Sequence, residues 1–180
     1  MEIISSAESI ELKTSSGSAV VVAEGLRSWK DDSGKVLISR GPRFKAASDT
    51  LGRLRPVPDR LGVTGNCAET HAVILAKNCR TEEMELTQKW AFSADKTLAV
   101  ELEFIVPPAC AGLSMLGVEM EFPGKEAAFK LETDNGNITF SDGFDGTLIL
   151  VQFAETPVRA GIHRMNLTFI AEKLQNQFEV

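Results

Sequence analysis

Positive charge in this 180-residue chain is crowded into one stretch. Between Leu26 and Arg60 stand nine Lys and Arg against four Asp, a local charge of +5. The whole chain carries −6, so the remainder carries −11. A basic segment on an acidic body fits two chemistries. It can pack on that body or on a neighbouring domain. It can also make a local site for a carboxylate, sulfate or phosphate, which guanidinium groups bind with paired hydrogen bonds. The candidate contact residues are Arg40, Arg43, Asp49, Arg53, Arg55, Asp59 and Arg60. Trp29 joins them, because it lies just before the Asp31–Gly34 turn, where its ring could reach a surface. A chain this acidic is a poor nucleic-acid binder as a whole.

Other residue types offer less. The two histidines, His71 and His163, have no Ser nucleophile in an elbow motif and no His partner at metal-ligand spacing, so both are read as structural. Paired carboxylates can hydrolyse glycosides as acid and base. Glu101, Glu103, Glu119 and Glu121 are numerous enough, but they alternate outward from strands and fit a solvated face. The turns Asp134-Asn-Gly-Asn137 and Asp142-Gly-Phe-Asp-Gly146 bring oxygens close together without completing a calcium loop. The three cysteines, Cys67, Cys79 and Cys110, are odd in number and show no zinc motif, which favours free thiols, although Cys67 and Cys79 could bridge if the chain is exported. No catalytic residue, metal or cofactor is assigned on these grounds. Phosphate-binding glycine loops and nucleotide fingerprints are missing.

The elements that must position these residues are strands. Met84, Leu86, Trp90 and Phe92 alternate with polar residues, with Gln88 the one exception. Leu98, Val100, Leu102 and Phe104 do the same, then Leu116, Val118, Met120 and Phe122. Period-two alternation of this length means half-buried antiparallel strands. Further candidates are Ser9–Thr14, Ser18–Ala23, Leu26–Lys30, Val36–Ser39, Glu69–Lys77, Ala128–Glu132, Ile138–Ser141, Thr147–Phe153 and Arg164–Ala171. Gly, Asn and Asp turns separate them. The expected fold is therefore all-β, an antiparallel two-sheet β-sandwich with little or no helix, in one domain spanning 1–180. A short helical turn near Ala46 to Leu54 fits the sequence. Arg40 to Asn66, with three Pro and four Gly, is expected to be a long irregular loop, and such loops are often functional or packed on a partner.

No apolar run is long enough to span a bilayer, and the N-terminus lacks the pattern of a signal peptide. Both a cytoplasmic protein and a domain excised from a larger exported one fit. Asn137-Ile-Thr and Asn166-Leu-Thr match the glycosylation sequon but fall in expected strands. Tyr is absent and there are two Trp, which argues against a dedicated carbohydrate-binding module.

The order of motifs from Gly25 to Pro123 resembles a known group. Gly25-Leu-Arg-Ser-Trp-Lys-Asp-Asp-Ser-Gly34 leads to Val36-Leu-Ile-Ser-Arg-Gly-Pro-Arg-Phe44 and Asp49. Trp90-Ala-Phe-Ser-Ala-Asp-Lys-Thr97, Val100-Glu-Leu-Glu-Phe104 and Leu116-Gly-Val-Glu-Met-Glu-Phe-Pro123 follow. This is similar to the β-supersandwiches of galactose mutarotase-like proteins, above all the last domain of family 2 β-galactosidases. The resemblance implies a supersandwich fold and a carbohydrate-enzyme context, in which such a domain supports a catalytic domain and sometimes lends a loop to its rim. The family's aromatic, Gly- and Arg-rich segment has no counterpart in Gly124 to Leu131. The mutarotase His and Glu have no matching positions, so no catalytic residue carries over. The expectation is a non-catalytic accessory domain whose partner is a catalytic domain, a subunit or a carbohydrate. A sugar epimerase or lyase on the same fold, or an interaction domain unrelated to sugars, are the alternatives.

Overall fold

In the computed structural model, the described residues are 2–6, 8–22, 25–48, 52–54, 57–64, 71–78, 84–92, 97–124, 129–143 and 146–171, with only the backbone described for 52–54, 57–64 and 71–78. They form sixteen strands and one 3₁₀ turn at Pro108–Cys110. The first sheet is a meander of β1 (Glu2–Ser5), β2 (Ser9–Thr14), β3 (Gly17–Val22), β4 (Gly25–Asp31) and β5 (Val36–Ile38). The second runs β14 (Asn137–Asp142), β15 (Gly146–Gln152), β12 (Met115–Pro123), β6 (Arg40–Ser48) and β7 (Gly52–Leu54). The third runs β13 (Phe129–Thr133), β16 (Gly161–Ala171), β11 (Thr97–Val106), β10 (Met84–Phe92), β9 (His71–Asn78) and β8 (Val57–Thr64). Every neighbouring pair of strands is antiparallel.

The all-β sandwich expected from the alternation is the observed fold. Its inward rows join in one hydrophobic cluster drawing on all three sheets. Both five-stranded sheets press aromatic rings onto the six-stranded one. Trp29 of β4 meets Phe129 and Phe169 with ring centroids 6.1 and 6.3 Å apart. Phe44 of β6 meets Phe104 at 5.8 Å, and Phe122 of β12 meets Phe129 at 5.4 Å. Such tilted and edge-on pairs add to the area they bury.

Three hydrogen-bonded ladders stand where two were expected, because a seam separates the five-stranded sheets. At the seam Ser39 sends both its backbone N–H and its hydroxyl to the Glu121 carbonyl, each at 3.0 Å. Gly41 and Pro42 then interrupt the β6–β12 ladder. Arg43 pairs with Glu119 and Arg40 with Glu121, so two residues of β6 are left facing Met120. Proline has no N–H to give the ladder, and Gly41 sits at φ 111°, a conformation for glycine.

The stretch from Arg40 to Asn66 is not a loop where it is described. It contains β6, β7 and β8, and no helical turn occupies 46–48 or 52–54. β6 alternates with Phe44, Ala46 and Ser48 inward and Arg43, Lys45 and Ala47 outward. Its inward residues are partly small or polar, which hid the period.

Gln88 is the exception inside the core as well as in the sequence. It lies between Leu86 and Trp90 on the inward face of β10 with no exposed surface. Neither its amide nitrogen nor its amide oxygen has a partner. A buried amide without hydrogen bonds forfeits its hydration and gains nothing in exchange. Gln88→Met, close in size and apolar, should therefore raise unfolding stability by about 1–3 kcal/mol. The measurement is the urea midpoint at constant slope. A lower midpoint would mean that the amide is hydrogen-bonded in solution.

Candidate functional site

Two strand irregularities meet beside the seam. In β4, Val20 pairs with Ser28 and Val21 with Leu26, which leaves Arg27 as an extra, unpaired residue. This is a β-bulge, a device that re-aims a side chain. Leu26 and Trp29 both turn inward while Arg27 is exposed. The second irregularity is the Gly41–Pro42 interruption of β6. Between the two lies a cleft of about 290 Å³ whose walls include Gly25, Arg27, Ser39, Arg40, Gly41 and Arg43.

Glycine makes the close approach of the walls possible. A Cβ on Gly25 would run into the Pro42 carbonyl oxygen, and Gly25 sits at φ 134°. Glu121, only 13% exposed, grips Arg40 through Oε2 and Nη2 at 2.9 Å. Its neighbour on the same face, Glu119, receives Lys45 at 2.8 Å. Among the described residues Arg27 makes no ion pair. Among the described residues that line the cleft there is no Asp or Glu; Glu24, between the lining residues Val22 and Gly25, falls outside the described residues. Guanidinium groups do not titrate in proteins and carry five donors each, so the arrangement suits holding an oxyanion rather than moving a proton.

The candidate residues read from the sequence are distributed unevenly. Arg40 and Arg43 come together in the cleft. Arg53 lies on β7, and Asp59 and Arg60 lie on β8, where only the backbone is described. Asp49 and Arg55 fall outside the described residues, as do Cys67 and Cys79. Trp29 is corrected: it is 1% exposed and forms part of the aromatic core, so it offers no contact surface. Its inward direction follows from the extra residue at Arg27, which shifts the parity of β4. Arg27 itself was not singled out as a contact. The signal was present: two inward apolar residues three apart, Leu26 and Trp29, cannot share one face of a regular strand.

The acidic rows do not converge. Glu101 and Glu103 belong to β11 and Glu119 and Glu121 to β12, strands packed face to face across the core. Their side chains reach opposite outer surfaces. The face is also more than solvated, since Glu103 holds Arg164 at 2.7 Å and Glu101 holds Lys89 at 3.5 Å.

A second cleft of about 630 Å³ follows β15, lined by Phe153, Glu155, Arg159, His163 and Asn135 among others. His163 Nε2 contacts the Arg159 carbonyl oxygen at 2.8 Å, and the ring lies edge-on to Phe153. These contacts hold the imidazole in place. The His71 side chain is not described. Cys110 is buried. Asn166 of the second sequon donates its backbone N–H and Nδ2 to the two oxygens of Asp134, at 2.8 and 2.7 Å. Burial pushes the Asp134 carboxyl up, but these bonds outweigh it and hold it below the usual range.

No known family description matches this chain, and no curated protein matches it. Among solved structures it is similar in fold to the 4-alpha-glucanotransferase from Thermococcus litoralis. That likeness has a TM-score of 0.58 at 8% identity, and covers 94% of this chain and 39% of the glucanotransferase. The chain thus spans well under half of that enzyme's length, and the likeness shows a shared β-sandwich fold.

Proposed function

We propose that this chain is a non-catalytic accessory β-sandwich domain of a carbohydrate-active protein, which supports a catalytic domain and contacts sugar through the basic cleft. The observation that carries this reading is the fold likeness: nearly the whole chain corresponds to a minor part of a larger sugar-transferring enzyme. The motif order from Gly25 to Pro123, similar to the supersandwich domain of family 2 β-galactosidases, agrees with it. The placement of the glutamate rows on opposite surfaces favours support over hydrolysis, since an acid–base pair must flank one bond.

Two assays on the full chain test the proposal. Polarimetric mutarotation and reducing-sugar release should stay at the uncatalysed rate, while an oligosaccharide titration should saturate. Turnover of any sugar by the purified chain would replace this reading with the epimerase or lyase alternative.

A further inference from the structure

We infer that the cleft between β4 and β6 binds the oxyanion of an acidic saccharide, a uronate carboxylate or a sulfate ester. The saccharide part of this inference rests on the proposed function; the oxyanion part rests on the cleft alone.

Three features of the site point the same way. The first is charge: Arg27, Arg40 and Arg43 line the cleft, and its described lining residues include no carboxylate. The second is backbone construction. Two ladder interruptions, at Arg27 and at Gly41–Pro42, lie on opposite walls, and bulges are frequent beside binding sites because they redirect side chains. Without its bulge, β4 would keep strict alternation and could not turn Leu26 and Trp29 inward while presenting Arg27. The third is preorganisation. Glu121 occupies one nitrogen of Arg40 and leaves the other donors of that guanidinium for a ligand. Its carboxylate thereby orients the fork. The Glu121 main chain is itself fixed by the two hydrogen bonds from Ser39.

Arginine at positions 27 and 40 suits a group that presents two oxygens side by side, as a carboxylate or a sulfate ester does, better than a point charge would. A cleft of about 290 Å³ is at the lower end of small-ligand sites, room for one sugar ring bearing its anionic group. Neutral sugars gain little there, since the described lining residues include no aromatic ring.

Calorimetric titration of the full chain tests this with three probes: inorganic sulfate, a uronate oligosaccharide or sulfated oligosaccharide, and a neutral malto-oligosaccharide. The expected result is binding of the acidic saccharide in preference to the neutral one, weakened by added salt. Arg27→Ala should lower that affinity about 10- to 100-fold, the worth of a charged hydrogen-bonding group. Arg27→Lys should fall between, because it keeps charge and loses the fork. Arg164→Ala, which removes a cation paired to Glu103 elsewhere on the surface, should change nothing. Circular dichroism melts of each variant check that folding is intact; Arg27 is exposed and unpaired, so its loss leaves the core untouched.

Neutral sugar bound as tightly as acidic sugar would overturn the inference and leave the accessory role standing. Equal affinity in Arg27→Ala would overturn it as well. Arg27-dependent sulfate binding with no gain from a saccharide would support the oxyanion site and overturn its saccharide carrier.

Discussion

Trp29→Ala should lower unfolding stability by about 3–5 kcal/mol, the range for deleting a buried large aromatic ring. For a chain of this length that corresponds to a fall in melting temperature of roughly 6–20 °C. The indole is 1% exposed and touches the rings of Phe129 and Phe169. It therefore links the first sheet to the six-stranded one, and its removal opens a cavity where three strands meet. Trp29→Phe keeps a ring in contact and should lose much less. A surface tryptophan would behave differently, since its truncation would leave the melting temperature within about a degree or two and alter only binding. Paired melts and titrations of the two variants separate core from contact. Unchanged stability in Trp29→Ala would return this residue to the list of binding candidates.

The second large effect belongs to Gly41. A methyl group there would stand 2.5 Å from the Met120 Cα and 2.7 Å from the Glu119 carbonyl oxygen, both backbone atoms that cannot swing aside. The backbone also sits at φ 111°, where any side chain is strained. Gly41→Ala should therefore cost about 2–5 kcal/mol, combining overpacking with the conformational penalty. Gly34→Ala is the informative comparison. It shares a positive φ of 84° but would meet nothing within 4 Å, so only the smaller conformational part remains. If the two variants melt together, steric crowding at the seam is not what holds Gly41 in place.

Much of the sandwich could be read directly because its central strands bury large apolar residues at every second position. β10, β11 and β12 each show that row, and the turn between β4 and β5 carries recognisable side-chain chemistry. The Asp31 carboxylate, for example, accepts hydrogen bonds from the backbone N–H groups of Ser33 and Lys35 and from the Ser33 hydroxyl. Four strands escaped notice for identifiable reasons. β1 is nearly all exposed and has no alternation to see. β6 turns Ala46 and Ser48 inward, which do not register as apolar signals. β7 has three residues, and β8 contains Pro58, where its pairing with β9 shifts. Proline and glycine there give loop signals, although an edge strand tolerates them.

The cleft was legible only as a concentration of charge. Its composition pointed to Arg40 and Arg43, but the wall opposite depends on a bulge. A bulge appears in a sequence as a change of parity, not as a residue type. The seam was hidden more deeply, because Ser39 and Glu121 lie 82 residues apart and their bond joins a side chain and an amide to a carbonyl.

That same separation governs how the molecule can be made. β11 needs β10, which precedes it closely, but its other neighbour is β16, pairing Thr97 with Ile170 and Val106 with Gly161. β6 likewise waits for β12. A nascent chain therefore emerges with β11, a strand with five fully inward apolar residues, half-paired until nearly the last described residue has left the ribosome. Through that interval β11 presents an open edge, the kind that recruits other chains. Nonlocal pairing of this kind also slows closure of the sheet. Stalled or clipped products ending before Gly161 should appear as aggregates rather than as smaller soluble domains. Any plan to dissect the cleft should work by point substitution in the whole chain, because the wall that holds Arg40 is translated long after Arg40 itself.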